Sequence, residues 1–124
     1  MAYEIMGFDL PFKTATDLSS NQFHAVYMSA DETVALATAA HENTIGILQN
    51  KPNSTTTGIA AAVRVSGISK AVLGDTVTID DKLTPDSSGH LVPATSGEMT
   101  IAQALRAGSS GETVPVLLER SRVA

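Results

Sequence analysis

From Ile59 the chain alternates apolar and polar positions with a period of two. Ile59, Ala61, Val63 and Val65 fall on one face, and Ala60, Ala62, Arg64 and Ser66 on the other. A period of two is that of a half-buried strand, since successive side chains on extended backbone point to opposite faces. Turn-forming residues then interrupt the chain every few positions, at Gly67, Gly74, Asp80-Asp81, Ser88-Gly89, Gly97, Gly108 and Gly111. The segments between them predict short strands over Ile68 to Leu73, Asp75 to Ile79 with Val77 and Ile79 inward, His90 to Ala94, and Thr113 to Leu118 with Val114, Val116 and Leu118 inward. Short strands at this spacing predict an all-β fold, a small barrel or sandwich of antiparallel strands.

Three further segments extend the pattern toward the N-terminus. Asn21 to Ser29 (NQFHAVYMS) alternates Phe23, Ala25 and Tyr27 with Gln22, His24 and Val26, and Thr44 to Gln49 is a short apolar run. Thr33 to Ala40 is read as a strand, although Ser29 with Glu32 matches a helix capping box. Met99 to Ala107 (MTIAQALRA) has helix-favouring residues and a Gly108 suited to a C-terminal cap. It is nonetheless read as a strand, because an isolated two-turn helix would interrupt a β meander.

The aromatic residues divide the chain differently. Tyr3, Phe8, Phe12, Phe23 and Tyr27 are all of them, so everything beyond residue 27 builds its core from aliphatic side chains. Residues 1–20 carry Tyr3, Ile5, Met6, Phe8, Leu10 and Phe12 with little periodicity, and Pro11 argues against a long central strand. This predicts an extended N-terminal arm, followed by a single β domain over 21–124. The arm either folds back over its own core or presents Tyr3, Met6, Phe8, Leu10 and Phe12 to a partner, buried aromatics being strong interface anchors.

At 124 residues the chain suits one domain with a modest core. There is no cysteine, so disulfides and thiolate zinc sites are excluded. No apolar run approaches the ~20 residues of a membrane helix, and the first residues lack the pattern of a signal peptide, so a soluble chain without a membrane partner is expected. Thirteen acidic residues against eight scattered basic ones give a net charge of −5 and no basic stripe for phosphates, so no nucleic-acid partner is expected.

Candidate chemistry is sparse. In "LTPDSSGHLVPATSG" (Leu83 to Gly97) a carboxylate, hydroxyls and His90 lie close together, yet a nucleophile elbow is missing, and Asp86, Ser87, Ser88 and Gly89 are residues that turns select. A turn between strands is the expected reading. His24, His41 and His90 have no metal-ligand spacing, and Asp75, Asp80, Asp81 and Asp86 lack the glycine and glutamate of a calcium loop. Ser66 and Lys70 are four residues apart in a strand region, where a serine–lysine dyad needs three on a helix. Asn53-Ser54-Thr55 fits a glycosylation sequon but reads as loop chemistry. Phosphate-binding glycine motifs are absent. The expectation is a non-enzyme with no cofactor, metal or small-molecule substrate.

Two resemblances bear on function. "LGDTVTIDDKLTPD" resembles the turn of lipoyl and biotin carrier domains over about fourteen residues, but Lys82 falls within the turn instead of at the hairpin tip that such a carrier modifies. The segments "TIGILQNKP", "AAVRVSGISKAVLGDTV", "LTPDSSGHLVPATSG" and "AQALRAGSSGETVPVLL", in that order, resemble the small capsid decoration (cement) proteins of tailed bacteriophages, also labelled head fibre proteins. The likeness spans roughly residues 22–118. It departs from that family at Asp80-Asp81, where a second glycine-aspartate is usual, and at Gln103, where the family has glycine. The second resemblance implies an all-β, often trimeric protein on the outer surface of the virion that binds the major capsid protein and stabilises contacts between its subunits.

Overall fold

The strand that organises the molecule is the one whose alternation is clearest. In the computed structural model, which describes residues 5–14, 16–39, 44–52 and 60–122, it runs unbroken from Ala60 to Val72. The described residues form nine strands and no helix: β1 (Ile5–Thr14), β2 (Ala25–Ala30), β3 (Thr33–Leu36), β4 (Thr44–Leu48), β5 (Ala60–Val72), β6 (Lys82–Pro85), β7 (Leu91–Pro93), β8 (Met99–Ala104) and β9 (Thr113–Arg122). The sequence predicts a break at Gly67. Gly67 instead takes φ 93°, a backbone conformation open to glycine, and redirects β5 without ending it.

That redirection lets one strand serve two sheets. The first half of β5 pairs with β4 and β1, β1 also pairs with β3, and the order β1-β3-β2-β4-β5 closes into a five-stranded barrel. From Gly67 onward β5 pairs with β9, continuing as β9-β8-β6-β7. A parallel bridge between Leu73 and Leu91 brings the far strand back to the end of β5. The two sheets part where β4 begins and β9 departs, and there the Arg120 guanidinium donates to the Thr44 carbonyl. The fold is thus a barrel with an attached sheet.

The burial pattern follows from this arrangement. Leu18, Val26, Val34, Leu48, Ala61 and Val63 fill the barrel, with Phe12, Met28, Leu36, Ile45 and Val65 packed around them. A second core, including Ile47, Leu73, Val77, Leu83, Leu91, Val114 and Val116, lies under the second sheet. Neighbours in sequence separate between the cores: Ala25 and Ile47 belong to the second, Val26 and Leu48 to the first, and all four are fully buried. β2 and β4 therefore form the wall between two cores. This corrects the reading of 21–29 as a strand with one polar face, and the strand itself begins only at Ala25, because Phe23 sits at φ 67° in a turn.

Two other expectations change. Asp75 to Ile79 is not a strand: Val77 alone is buried, exchanging 2.8 and 3.0 Å backbone bonds with Gly108, while Ile79 is 63% exposed. Alternation fails because the chain turns at once. The Asp81 carboxylate accepts the Thr78 N–H, and Asp80 adopts φ 73°. Pro11, expected to oppose a long strand, lies within the ten-residue β1 opposite Ala62. Ala62 directs both backbone groups away from β1, its N–H to the Asn50 side chain and its carbonyl to the Gln49 N–H, so Pro11 occupies a non-hydrogen-bonded pair and its missing N–H costs no ladder bond. Met99 to Ala104 is a strand, its helix propensity overridden by pairing with β6 and β9.

Candidate functional site

Because residues 5–14 are strand β1 of the barrel, three of the side chains expected as anchors, Phe8, Leu10 and Phe12, can be placed. Tyr3 lies outside the described residues, and Met6 is on β1. Leu10 is half-buried, Phe12 packs against the barrel core, and Phe8 is 63% exposed. The two alternatives for this segment thus divide between two phenylalanines, Phe12 covering its own core and Phe8 facing outward.

Phe8 faces solvent from a strand that pairs with β5. It pairs with Ser66 between two register irregularities, each of which adds local twist. Its neighbour Asp9 receives a two-pronged contact from Arg64, Nε to Oδ1 at 2.8 Å and Nη2 to Oδ2 at 3.2 Å. The same guanidinium donates from Nη1 to the Ile68 carbonyl at 3.0 Å, and its side chain is only 12% exposed. Bidentate geometry of this kind fixes orientation as well as adding energy. The aromatic ring therefore projects beside a residue tied to β5 through its side chain.

The second candidate, the turn after β6, is a structural device. Asp86 Oδ1 accepts the N–H groups of Ser88 (2.8 Å) and His90 (3.1 Å), while the Asp86 N–H donates to the His90 carbonyl at 2.8 Å. Its other oxygen lies 3.7 Å from His90 Nδ1. The carboxylate is thus engaged in closing the turn, as the sequence suggests for an Asx residue. The sequence did not indicate the partner: His24, 66 positions earlier by numbering, places its ring 4.7 Å from that of His90. Only the pairing of the turn with the start of β2 brings them together, and no local spacing signals it.

The remaining sequence candidates are dispersed. Asp75 caps its own turn through Thr76, Asp80 accepts from Gln103 at 3.2 Å, and Asp81 holds Thr78. Among the described residues no group of three or more His, Asp or Glu is arranged for a metal ion, and no helix is long and apolar enough to cross a membrane. His41 and Asn53 lie outside the described residues. Ser66 is exposed, while the Lys70 ammonium stands 5.5 Å from the centroid of the Phe23 ring, a cation–π contact beyond the bend at Gly67. Lys82 opens β6 and pairs with Glu119 at 2.7 Å.

Comparison with known proteins gives one kind of likeness. No family model matches the chain, and no curated protein matches it. Among solved structures, the chain is similar to the head fiber gp8.5 N base of bacteriophage phi29, with a TM-score of 0.70 at 13% identity, covering 94% of this chain and 99% of that one. At that identity the shared property is the fold, and it extends over nearly the whole of both chains.

Proposed function

We propose that this protein is a structural component of a phage head, a decoration protein that binds the outer surface of the capsid and stabilises contacts between major capsid protein subunits. The observation that carries the reading is the full-length likeness in fold to a head fiber base. Ordered sequence segments resembling capsid decoration proteins support it independently. Phe8 is the side chain best placed to engage the major capsid protein, being large, apolar, outward-facing and mounted on a braced strand. A homotrimer is the expected assembly. The alternative of a lipoyl or biotin carrier needs a lysine at a hairpin tip, whereas Lys82 begins a sheet strand and is paired with Glu119.

Co-sedimentation with purified capsids lacking decoration protein tests the proposal. Saturable binding at a fixed ratio to the major capsid protein, with a raised temperature of capsid disruption, is the expected result. Failure to bind any expanded capsid, together with a covalent mass addition on a lysine, would replace it with the carrier reading. Sedimentation equilibrium of the free protein tests the trimer.

A further inference from the structure

The barrel and the second sheet meet at a joint with titratable groups on both sides. From the barrel side, the turn before β2 presents Phe23 and His24. Phe23 accepts the Val72 N–H at 3.1 Å, and the His24 carbonyl accepts the Leu48 N–H at 3.0 Å. From the other side, the turn after β6 presents Gly89 and His90. The Gly89 carbonyl accepts the Ala25 N–H at 2.8 Å. Contact here is close: a Cβ on Gly89, whose φ is 77°, would stand 2.5 Å from Leu36 Cδ1 and 3.2 Å from the Ala25 carbonyl oxygen. Against this backbone seam the rings of His24 and His90 pack at 4.7 Å, tilted by 45°.

We propose that His24 and His90 form a proton-sensitive clasp between the barrel and the β6–β7 turn, closed while at most one of the two rings is an imidazolium and opened when both are. The contacts fix where the protons go. His24 Nδ1 lies 3.1 Å from the Gln22 carbonyl, which only accepts, so Nδ1 carries the hydrogen and Nε2 is the atom that takes up the second proton. Asp86 Oδ2 lies 3.7 Å from His90 Nδ1, so the turn sets a carboxylate beside the ring pair. Among the described residues Asp86 is also the carboxylate that acts on His24.

Among the described residues the charged group that acts on the pair is Asp86 on the turn, and it favours protonation of His24. Burial holds His24 below the usual histidine pKa, the Gln22 carbonyl pulls it up, His90 lowers it further, and the Asn21 backbone and Asp86 raise it. A proton on each ring places two positive charges across a contact held by one backbone bond and van der Waals packing. That state separates the turn from β2. The inference concerns the joint alone and does not depend on the capsid reading.

Nuclear magnetic resonance of the intact protein tests it, using the histidine ring signals and the exchange protection of two amides. The Ala25 N–H bonds across the clasp, whereas the Gln49 N–H bonds to the Ala62 carbonyl within the barrel. Between about pH 7.5 and about pH 5, Ala25 protection relative to Gln49 is expected to fall at least ~10-fold, with His24 titrating below the ordinary histidine midpoint. His90→Gln removes one charge of the pair, so the fall is abolished and His24 titrates closer to its ordinary value. Asp86→Asn keeps the Oδ1 acceptor of the turn but removes the counter-charge, moving the loss of Ala25 protection to lower pH. Parallel loss of protection at both amides, or a His24 midpoint unmoved by His90→Gln, would overturn the proposal.

Discussion

Two phenylalanines four residues apart on β1 give opposite expectations, and replacing each by alanine separates capsid binding from folding. Taking ~200 Å² for a phenylalanine side chain, the 63% exposure of Phe8 leaves about 125 Å² for a partner to cover. At ~25 cal/mol per Å² this is about 3 kcal/mol, of which about 2 kcal/mol is lost in Phe8→Ala once the remaining methyl and backbone are subtracted. A loss of that size weakens capsid binding about 30-fold, while the free protein changes by no more than ~0.5 kcal/mol. Phe12 packs on the barrel core, so Phe12→Ala removes burial within the chain, about 2 to 3 kcal/mol for a partly covered ring. With an unfolding entropy of ~2.1 cal/mol/K per residue, 124 residues give ~0.26 kcal/mol/K, so Phe12→Ala lowers Tm by about 8 to 12 °C. Calorimetric melts of the free protein and titration onto capsids measure the two quantities. A Phe8→Ala protein that binds capsids with unchanged affinity, or melts as early as Phe12→Ala, would refute the assignment of Phe8 to the interface.

Three other outcomes are expected. Gly89→Ala forces a side chain into positive φ and against Leu36, so it destabilises the fold by about 2 kcal/mol or more in urea unfolding, beyond the ~1 kcal/mol of a simple glycine replacement. Ile47→Ala and Leu48→Ala each cost about 2 to 5 kcal/mol, but methyl spectra place the disturbance under the second sheet for the first and inside the barrel for the second. The Glu112 carboxyl is held below its ordinary pKa by the Ser109 N–H and then by the Ser109 hydroxyl. Its stabilising contribution is present above the unfolded-state pKa and lost as pH falls through the lowered folded value; Ser109→Ala retains the N–H and raises the carboxyl partway back in a titration followed by carbon chemical shifts.

The strands were legible where alternate positions enter a core. Ala61 and Val63 are buried with Ala62 and Arg64 less so, and Val114 and Val116 are buried as the alternation predicts, although Pro115 between them is buried too. The pattern misled where both faces are covered or neither is. β2 and β4 are buried on two sides because they divide two cores, so their pattern does not separate a polar face, and nothing local distinguishes such a wall from an ordinary apolar run. Ile79 shows the opposite failure, an apolar residue in an alternating position that a tight turn leaves in solvent. Gly67 was legible as punctuation but not as a bend, since a glycine permits both and only the paired strands on either side decide which occurs.

The same distinction between local and long-range information governs the candidate sites. A turn such as Asp86 to His90 is specified by its own residues, and its carboxylate–amide bonds could be anticipated from the dipeptides alone. The contact of His90 with His24, the bracing of Asp9 by Arg64 and the separation of Phe8 from Phe12 all depend on strand register. Register in β1 is irregular on both sides of Phe8, and a one-residue slip exchanges the inward and outward faces. The side chain that faces outward is therefore set by these irregularities, and Gly7, between Ile5 and Phe8, is a local signal of the first, since a glycine inside a strand often marks a bulge. Phe8 pairs with Ser66, next to the bend of β5 at Gly67, so the irregular stretch of β1 lies beside the point where β5 passes from the barrel to its pairing with β9.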